Sequence, residues 1–69
     1  MKMFPVESSA LKSVGFDGVT LQLQFPKGGF IRFKGVPQST FDGLLIAESK
    51  GTFYNQQIRN SFEIDQDAP

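Results

Sequence analysis

The chain contains no cysteine and no histidine. The first absence excludes a disulfide. Together they exclude the Cys/His zinc sites that staple many small domains. The lack of histidine also removes the side chain best suited to act as a general base near neutral pH. No apolar run approaches the roughly 20 residues needed to cross a bilayer. The opening MKMFPVESSALKS carries a lysine but no apolar stretch of the kind a secretory leader needs, so a soluble cytoplasmic protein with no membrane partner is expected. Net charge is missing too: seven Lys and Arg balance seven Asp and Glu. Bulk electrostatic attraction to nucleic acid is therefore weak.

What is present is 69 residues with eight phenylalanines. A chain of this length is one domain, residues 1–69, and hides only about 60% of its extended surface on folding. With no covalent staple, aromatic burial must supply the core, each ring contributing roughly 1.5–3 kcal/mol. The charge is also uneven along the chain. Residues 1–34 hold Lys2, Lys12, Lys27, Arg32 and Lys34 against Glu7 and Asp17, whereas residues 35–69 hold two cations against five acids. A basic patch on the first half follows if the two halves stay apart in space.

Periodicity places the elements. Phe4-Pro5-Val6 reads as an extended lead-in, since a residue before proline avoids the helical region. Ser8-Ser9-Ala10-Leu11 reads as a turn with Leu11 folded inward. Residues 12–16 form a first strand with Val14 and Phe16 on one face, and Asp17-Gly18 is a strong hairpin signal. VTLQLQF, 19–25, alternates cleanly, which puts Val19, Leu21, Leu23 and Phe25 inward and Thr20, Gln22 and Gln24 outward. Pro26-Lys27-Gly28-Gly29 turns the chain. A third strand, 30–34, faces Ile31 and Phe33 inward and Phe30, Arg32 and Lys34 outward.

Ser39 or Gln38 then opens a helix with Asp42 in its first turn, where the dipole favours an acid. Phe41, Leu44 and Leu45 share its apolar side, and Gly43 permits close packing on the sheet. Ser49-Lys50-Gly51 breaks that helix. Thr52 caps a second one, in which Tyr54, Ile58 and Phe62 line up. Residues 63–69 form a polar tail that frays at its end. The fold expected is α+β, a three-stranded antiparallel meander followed by two short helices packed on one face, with its core in 6–62.

Taken in order, these segments resemble the KTSC domain, a family named after the C-terminus of lysyl-tRNA synthetases. The resemblance spans 6–62 and rests on VESSALKSVGFD at 6–17, LQLQFPKGGFIRFKGVP at 21–37 and FDGLLIAESKGTFYNQQIR at 41–59. It comprises a serine pair before a short strand, a glycine-bearing hairpin, a Gly-Val-Pro exit and a Ser-Lys-Gly…Asn…Ile-Arg closing segment. One position departs. Where the family tends to have Tyr-x-Tyr, this chain has Ile31-Arg32-Phe33, so both hydroxyls are missing. The family occurs appended to synthetases and as small stand-alone bacterial and phage proteins, and this chain looks like the stand-alone type. That implies a bacterial cytoplasm, or a host cytoplasm for a phage gene. The synthetase association implies RNA binding only by analogy.

Two groups of residues are candidate contacts. The first is Ser49, Lys50, Asn55 and Arg59. Asn55 and Arg59 share a helical face, and Lys50 beside a helix start suits a phosphate. The structural alternative has Asn55 tying down a loop carbonyl, Arg59 pairing with Asp42 or Glu48, and Lys50 solvated. The second group is Lys27, Phe30, Arg32 and Lys34, an exposed aromatic among cations that can stack a base and hold its backbone. Phe30 could equally close a homodimer. No paired carboxylates and no activated nucleophile are in view, because adjacent Ser49 and Lys50 point apart on most backbones. FPKGG at 25–29 lacks the order of a nucleotide-binding loop. No catalytic residue, cofactor or metal is expected. The reading preferred from the sequence is a non-enzymatic module binding a protein partner, with RNA binding as the alternative.

Overall fold

In a computed structural model, residues 2–65 are described. They form an α+β fold with five antiparallel strands in the order β1 (Met3–Pro5), β2 (Ser13–Phe16), β3 (Leu21–Gln24), β4 (Phe30–Lys34) and β5 (Glu63–Ile64). Helix α1 is Gln38–Ile46. Helix α2 is Lys50–Phe53, continued directly by a π-helical turn, Tyr54–Ile58. The sheet therefore has five strands and not three. Both additions are edge strands. In β1, Pro5 sits at the sheet margin, where its missing N–H leaves no gap in the ladder. In β5, Ile64 pairs with Phe33 and Glu63 with Lys34. The polar tail expected from residue 63 thus begins as a strand, and residues 66–69 lie outside the described residues.

The register sets two faces. Val14 opposes Leu23, which opposes Ile31; Phe16 opposes Leu21, which opposes Phe33. Directly opposed residues share a face. Val14, Leu21, Leu23 and Phe33 are wholly buried there with Leu11, Leu44 and Ile58. Phe16 stacks on Phe41 of α1, with ring centroids 4.9 Å apart. Tyr54 meets Phe25 and Phe33 edge-on at 5.9 and 6.0 Å. The other face carries Ser13, Gln22, Gln24, Phe30, Arg32 and Lys34 and, among the described residues, has no helix over it. Its side chains bond along the rungs: Ser13 Oγ donates to Gln24 Oε1 at 2.8 Å, and Arg32 Nε donates to Gln22 Oε1.

Several residues sit differently from their sequence pattern. Val19 is 60% exposed, not inward. Asp17 Oδ1 accepts from the N–H groups of Val19 and Thr20 at 3.0 and 2.6 Å, so the turn extends through Thr20 and alternation starts only at Leu21. Gly18 supplies the positive φ of that turn, 97°. Asp42 is not in the first turn of α1, because the helix already begins at Gln38 after an uncapped Pro37. It instead accepts from Gln38 Nε2 at 2.9 Å, one turn back. Leu45 is exposed, which leaves Phe41 and Leu44 as the buried pair of α1.

The Asp17 turn has a pH consequence. The Thr20 and Val19 N–H groups hold its carboxyl below the ordinary value of 3.8. A carboxylate whose folded pKa is depressed contributes stability above its unfolded pKa and loses it as pH falls. The contribution should be complete at neutral pH and decline below about 3.8. Thermal melts across that range should show a steeper acid loss for the parent than for Asp17→Asn, which keeps an acceptor oxygen but does not titrate. Superimposable pH profiles would assign the acid loss elsewhere.

Candidate functional site

Two distant segments meet to make a polar cleft. A hydrogen bond from Val6 N to the Lys12 carbonyl, 3.2 Å, closes the loop between β1 and β2. Within it Ser8 Oγ accepts from Ala10 N and Leu11 N at 3.0 and 3.3 Å, and the buried Leu11 anchors the turn in the core. Across from it, Ser49 caps α2. Its Oγ accepts from Thr52 N at 3.3 Å and donates to Thr52 Oγ1 at 3.0 Å. Ser49 and not Thr52 is therefore the cap, and Lys50 and Gly51 are helical. A Cβ on Gly51 would lie 2.8 Å from the Ala10 Cβ, so only glycine lets the two segments come this close. Gly43 works similarly, but toward α2 and not toward the sheet: a Cβ there would lie 2.9 Å from Cζ of Phe53.

Between the segments lies a space of about 500 Å³ lined by residues 7–10, residues 48–52 and Asn55. Ser49, Lys50 and Asn55 are brought together here. Arg59 is exposed one turn further along and does not line the cleft, nor does it pair with Asp42 or Glu48. Among the described residues, the Asn55 side chain ties down no loop carbonyl. It stands exposed on the π-helical turn, whose five-residue bond runs from Arg59 N to the Tyr54 carbonyl at 2.9 Å. Such turns recur at functional sites. Lys50 is half-buried, and its Nζ donates to the Ala47 carbonyl at 3.1 Å. That carbonyl belongs to the end of α1, where basic side chains commonly satisfy unpaired oxygens. Lys50→Ala should therefore lower stability in urea melts by about 0.5–1.5 kcal/mol, the net value of one hydrogen bond. A thermally silent mutant would mean that water serves the carbonyl as well.

The contribution of Glu7, Ser8, Ser9 and Ala10 was hidden in the sequence. Some 40 residues separate them from Ser49, and only the joint presence of a serine pair and a Ser-Lys-Gly segment hinted at a shared site.

The second candidate group stays on the uncovered sheet face or beside it. Phe30 is 56% exposed next to Gln24, Arg32 lies beside Gln22, and Lys27 is exposed in the preceding turn. Lys34 is not a free cation: Glu63 Oε2 lies 3.5 Å from its Nζ. Strand β5 returns acidic chain to the basic strand β4, so the charge asymmetry along the sequence is partly cancelled in space.

The comparisons with known proteins fit this geometry. The KTSC domain model matches residues 7–62, from the first glutamate of the cleft to the end of the closing segment. The chain belongs to the KTSC domain family. A protein of Tsukamurella paurometabola is 42% identical over 62 residues, covering 87% of this chain and 92% of that protein. An uncharacterized protein of Stutzerimonas stutzeri is 36% identical over 61 residues, covering 86% of each. The crystal structure of a KTSC domain protein from Yersinia pestis superposes with a TM-score of 0.87 at 32% identity, covering 93% of each chain.

Proposed function

We propose that this KTSC domain is a non-enzymatic interaction module of the cytoplasm, and that it holds a segment of a protein partner in the cleft between residues 7–10 and 48–55. The observation that carries the reading is the make-up of that cleft. Hydroxyls, an amide and two carboxylates face a space large enough for a few peptide residues. Lys50, the one cation among the described residues that line it, donates to a backbone carbonyl. A phosphate would meet Glu7 and Glu48 with only that lysine to offset them, which disfavours nucleic acid at this position.

The test is retention of a partner by the full chain, from lysate with and without nuclease, beside Asn55→Ala. The Asn55 side chain is exposed and makes no hydrogen bond among the described residues, so the variant should fold normally. A protein retained by the parent, unaffected by nuclease and lost with Asn55→Ala supports the reading. Equal retention by the variant, or loss on nuclease treatment, sinks it.

Exposed Phe30 beside Arg32 on the uncovered sheet face favours a second reading, single-stranded RNA binding. Titration of RNA at two salt concentrations tests it. Absence of binding at about 50 mM salt would dismiss it, since electrostatic binding is strongest there.

A further inference from the structure

The two edges of the sheet are closed differently. At β1, the Val6 N–H turns inward to the Lys12 carbonyl, so Pro5 is an outward position. It has no N–H to offer, and the edge cannot be extended there. The opposite edge belongs to β4, and β5 covers it with two paired residues, both exposed. The Asp65 N–H donates to the Arg32 carbonyl at 2.8 Å, which makes Arg32, and with it Phe30 and Lys34, outward backbone positions. Ile31 and Phe33 turn their backbone to β3. Along this edge β5 lays acid on cation: Glu63 Oε2 is 3.5 Å from Lys34 Nζ, and Ile64 opposes Phe33. The two charged side chains are 53% and 83% exposed, so their attraction adds little stability. Half-buried Phe62 packs against the core just before β5, and the KTSC match ends at that residue. Strand β5 thus lies just past the part of the chain that the family model matches.

We infer that the outer edge of β4 is a strand-addition site with β5 as its displaceable cover, and that it takes an extended acidic segment of a partner protein. Strand β5 itself shows the chemistry that fits: an acid against Lys34, then an apolar residue against Phe33. Lys34 is the cation that selects the acid, since Arg32 already donates to Gln22 and acts on Asp17. An extended segment keeps the backbone bonds that β5 makes and reaches Phe30, whose ring is 56% exposed. Main-chain bonds supply the affinity of such an addition, and alternate side chains its selectivity. Displacing β5 costs little, because two exposed residues on an edge belong to the least stable part of a fold. No residue of this edge lines the cleft between 7–10 and 48–55.

Two NMR measurements on the ¹⁵N-labelled full chain test the proposal. In hydrogen exchange, the outward amides of Arg32 and Lys34 should exchange at least about tenfold faster than the inward amides of Ile31 and Phe33. Equal rates would mean that β5 opens only when the whole domain unfolds, and would overturn the displaceable cover. In titration, the probe is the acetylated, amidated peptide Thr-Glu-Ile-Glu-Val-Glu-Thr, and the control peptide has each Glu replaced by Lys. The acidic peptide should give saturable shifts at residues 30–34 and 63–65. Ile64→Gly, and Glu63→Gln as a milder change of an exposed side chain, should tighten its binding about threefold or more, because the open edge is then populated more often. Equal shifts from the lysine peptide would overturn the proposal, as would unchanged affinity in Glu63→Gln, which is read even if Ile64→Gly folds poorly. Shifts confined to 7–10 and 48–55 would overturn it too, while supporting the cleft as the partner site.

Discussion

Leu23→Ala should lower stability by about 2–5 kcal/mol in urea unfolding, the usual cost of emptying a fully buried leucine site. Leu23 is wholly buried at the centre of the sheet, opposed by Val14 on one side and Ile31 on the other. Neither neighbour can fill the gap without leaving its own rung. A domain of this size rarely has more than about 3–5 kcal/mol in total. The mutant is therefore expected to be largely unfolded at 25 °C, seen as a lost or strongly shifted cooperative transition. Val19→Ala is the internal control. It belongs to the same sequence run but is exposed, so its effect should stay within about 0.5 kcal/mol. Comparable losses in the two mutants would mean that the strand facing is wrong.

That pair also marks how far the sequence could be read. Alternation from Leu21 onward, the aromatic core and the glycine turn at 26–29 were all legible, because each follows from short-range periodicity or from a residue with one dominant conformational role. Val19 failed because the Asp17 side chain holds a wider turn than the hairpin signal alone specifies. The edge strands failed for a different reason. Glu63–Ile64 is two residues long and polar at one of them, so nothing local distinguishes it from a tail. Its pairing is decided by β4, 30 residues earlier. The basic patch read from charge counting met the same limit, since β5 sets Glu63 against Lys34.

The candidate site was half legible. Ser49, Lys50 and Asn55 stood out as a cluster of chemistry-bearing types, and the structure does bring them together. What the sequence concealed was the opposite wall. The loop between β1 and β2 leaves no periodic trace, and its close approach to Gly51 at Ala10 is visible only in the fold. The sequence suggested Gly51 as a helix breaker. It lies inside α2, and close approach explains it better than chain reversal.

That explanation makes Gly51→Ala the informative variant at the site. Two effects oppose each other. Alanine in a helix interior is favoured over glycine by about 1 kcal/mol. Against this, the new methyl would start 2.8 Å from the Ala10 Cβ. Overpacking of this kind typically costs about 1–3 kcal/mol. The upper part of that range applies, because the Ala10 methyl is fixed to its backbone, and that backbone is pinned by the Ser8 turn and by buried Leu11. Gly51→Ala should thus be destabilised by about 1–2 kcal/mol net of propensity. Gly43→Ala is the contrast: its close neighbour is the tip of the Phe53 ring, which can swing aside on a half-buried side chain, so propensity should offset most of the cost. The cycle with Ala10→Gly decides the mechanism. If contact is the cause, removing the Ala10 methyl in the Gly51→Ala background should restore stability, even though Ala10→Gly alone costs about 0.5–1 kcal/mol of backbone entropy. Urea melts of the two single variants and the double variant give the coupling directly. Simple additivity would show that the segments do not press on one another at residues 10 and 51, and the cleft would lose the contact that holds its walls in register.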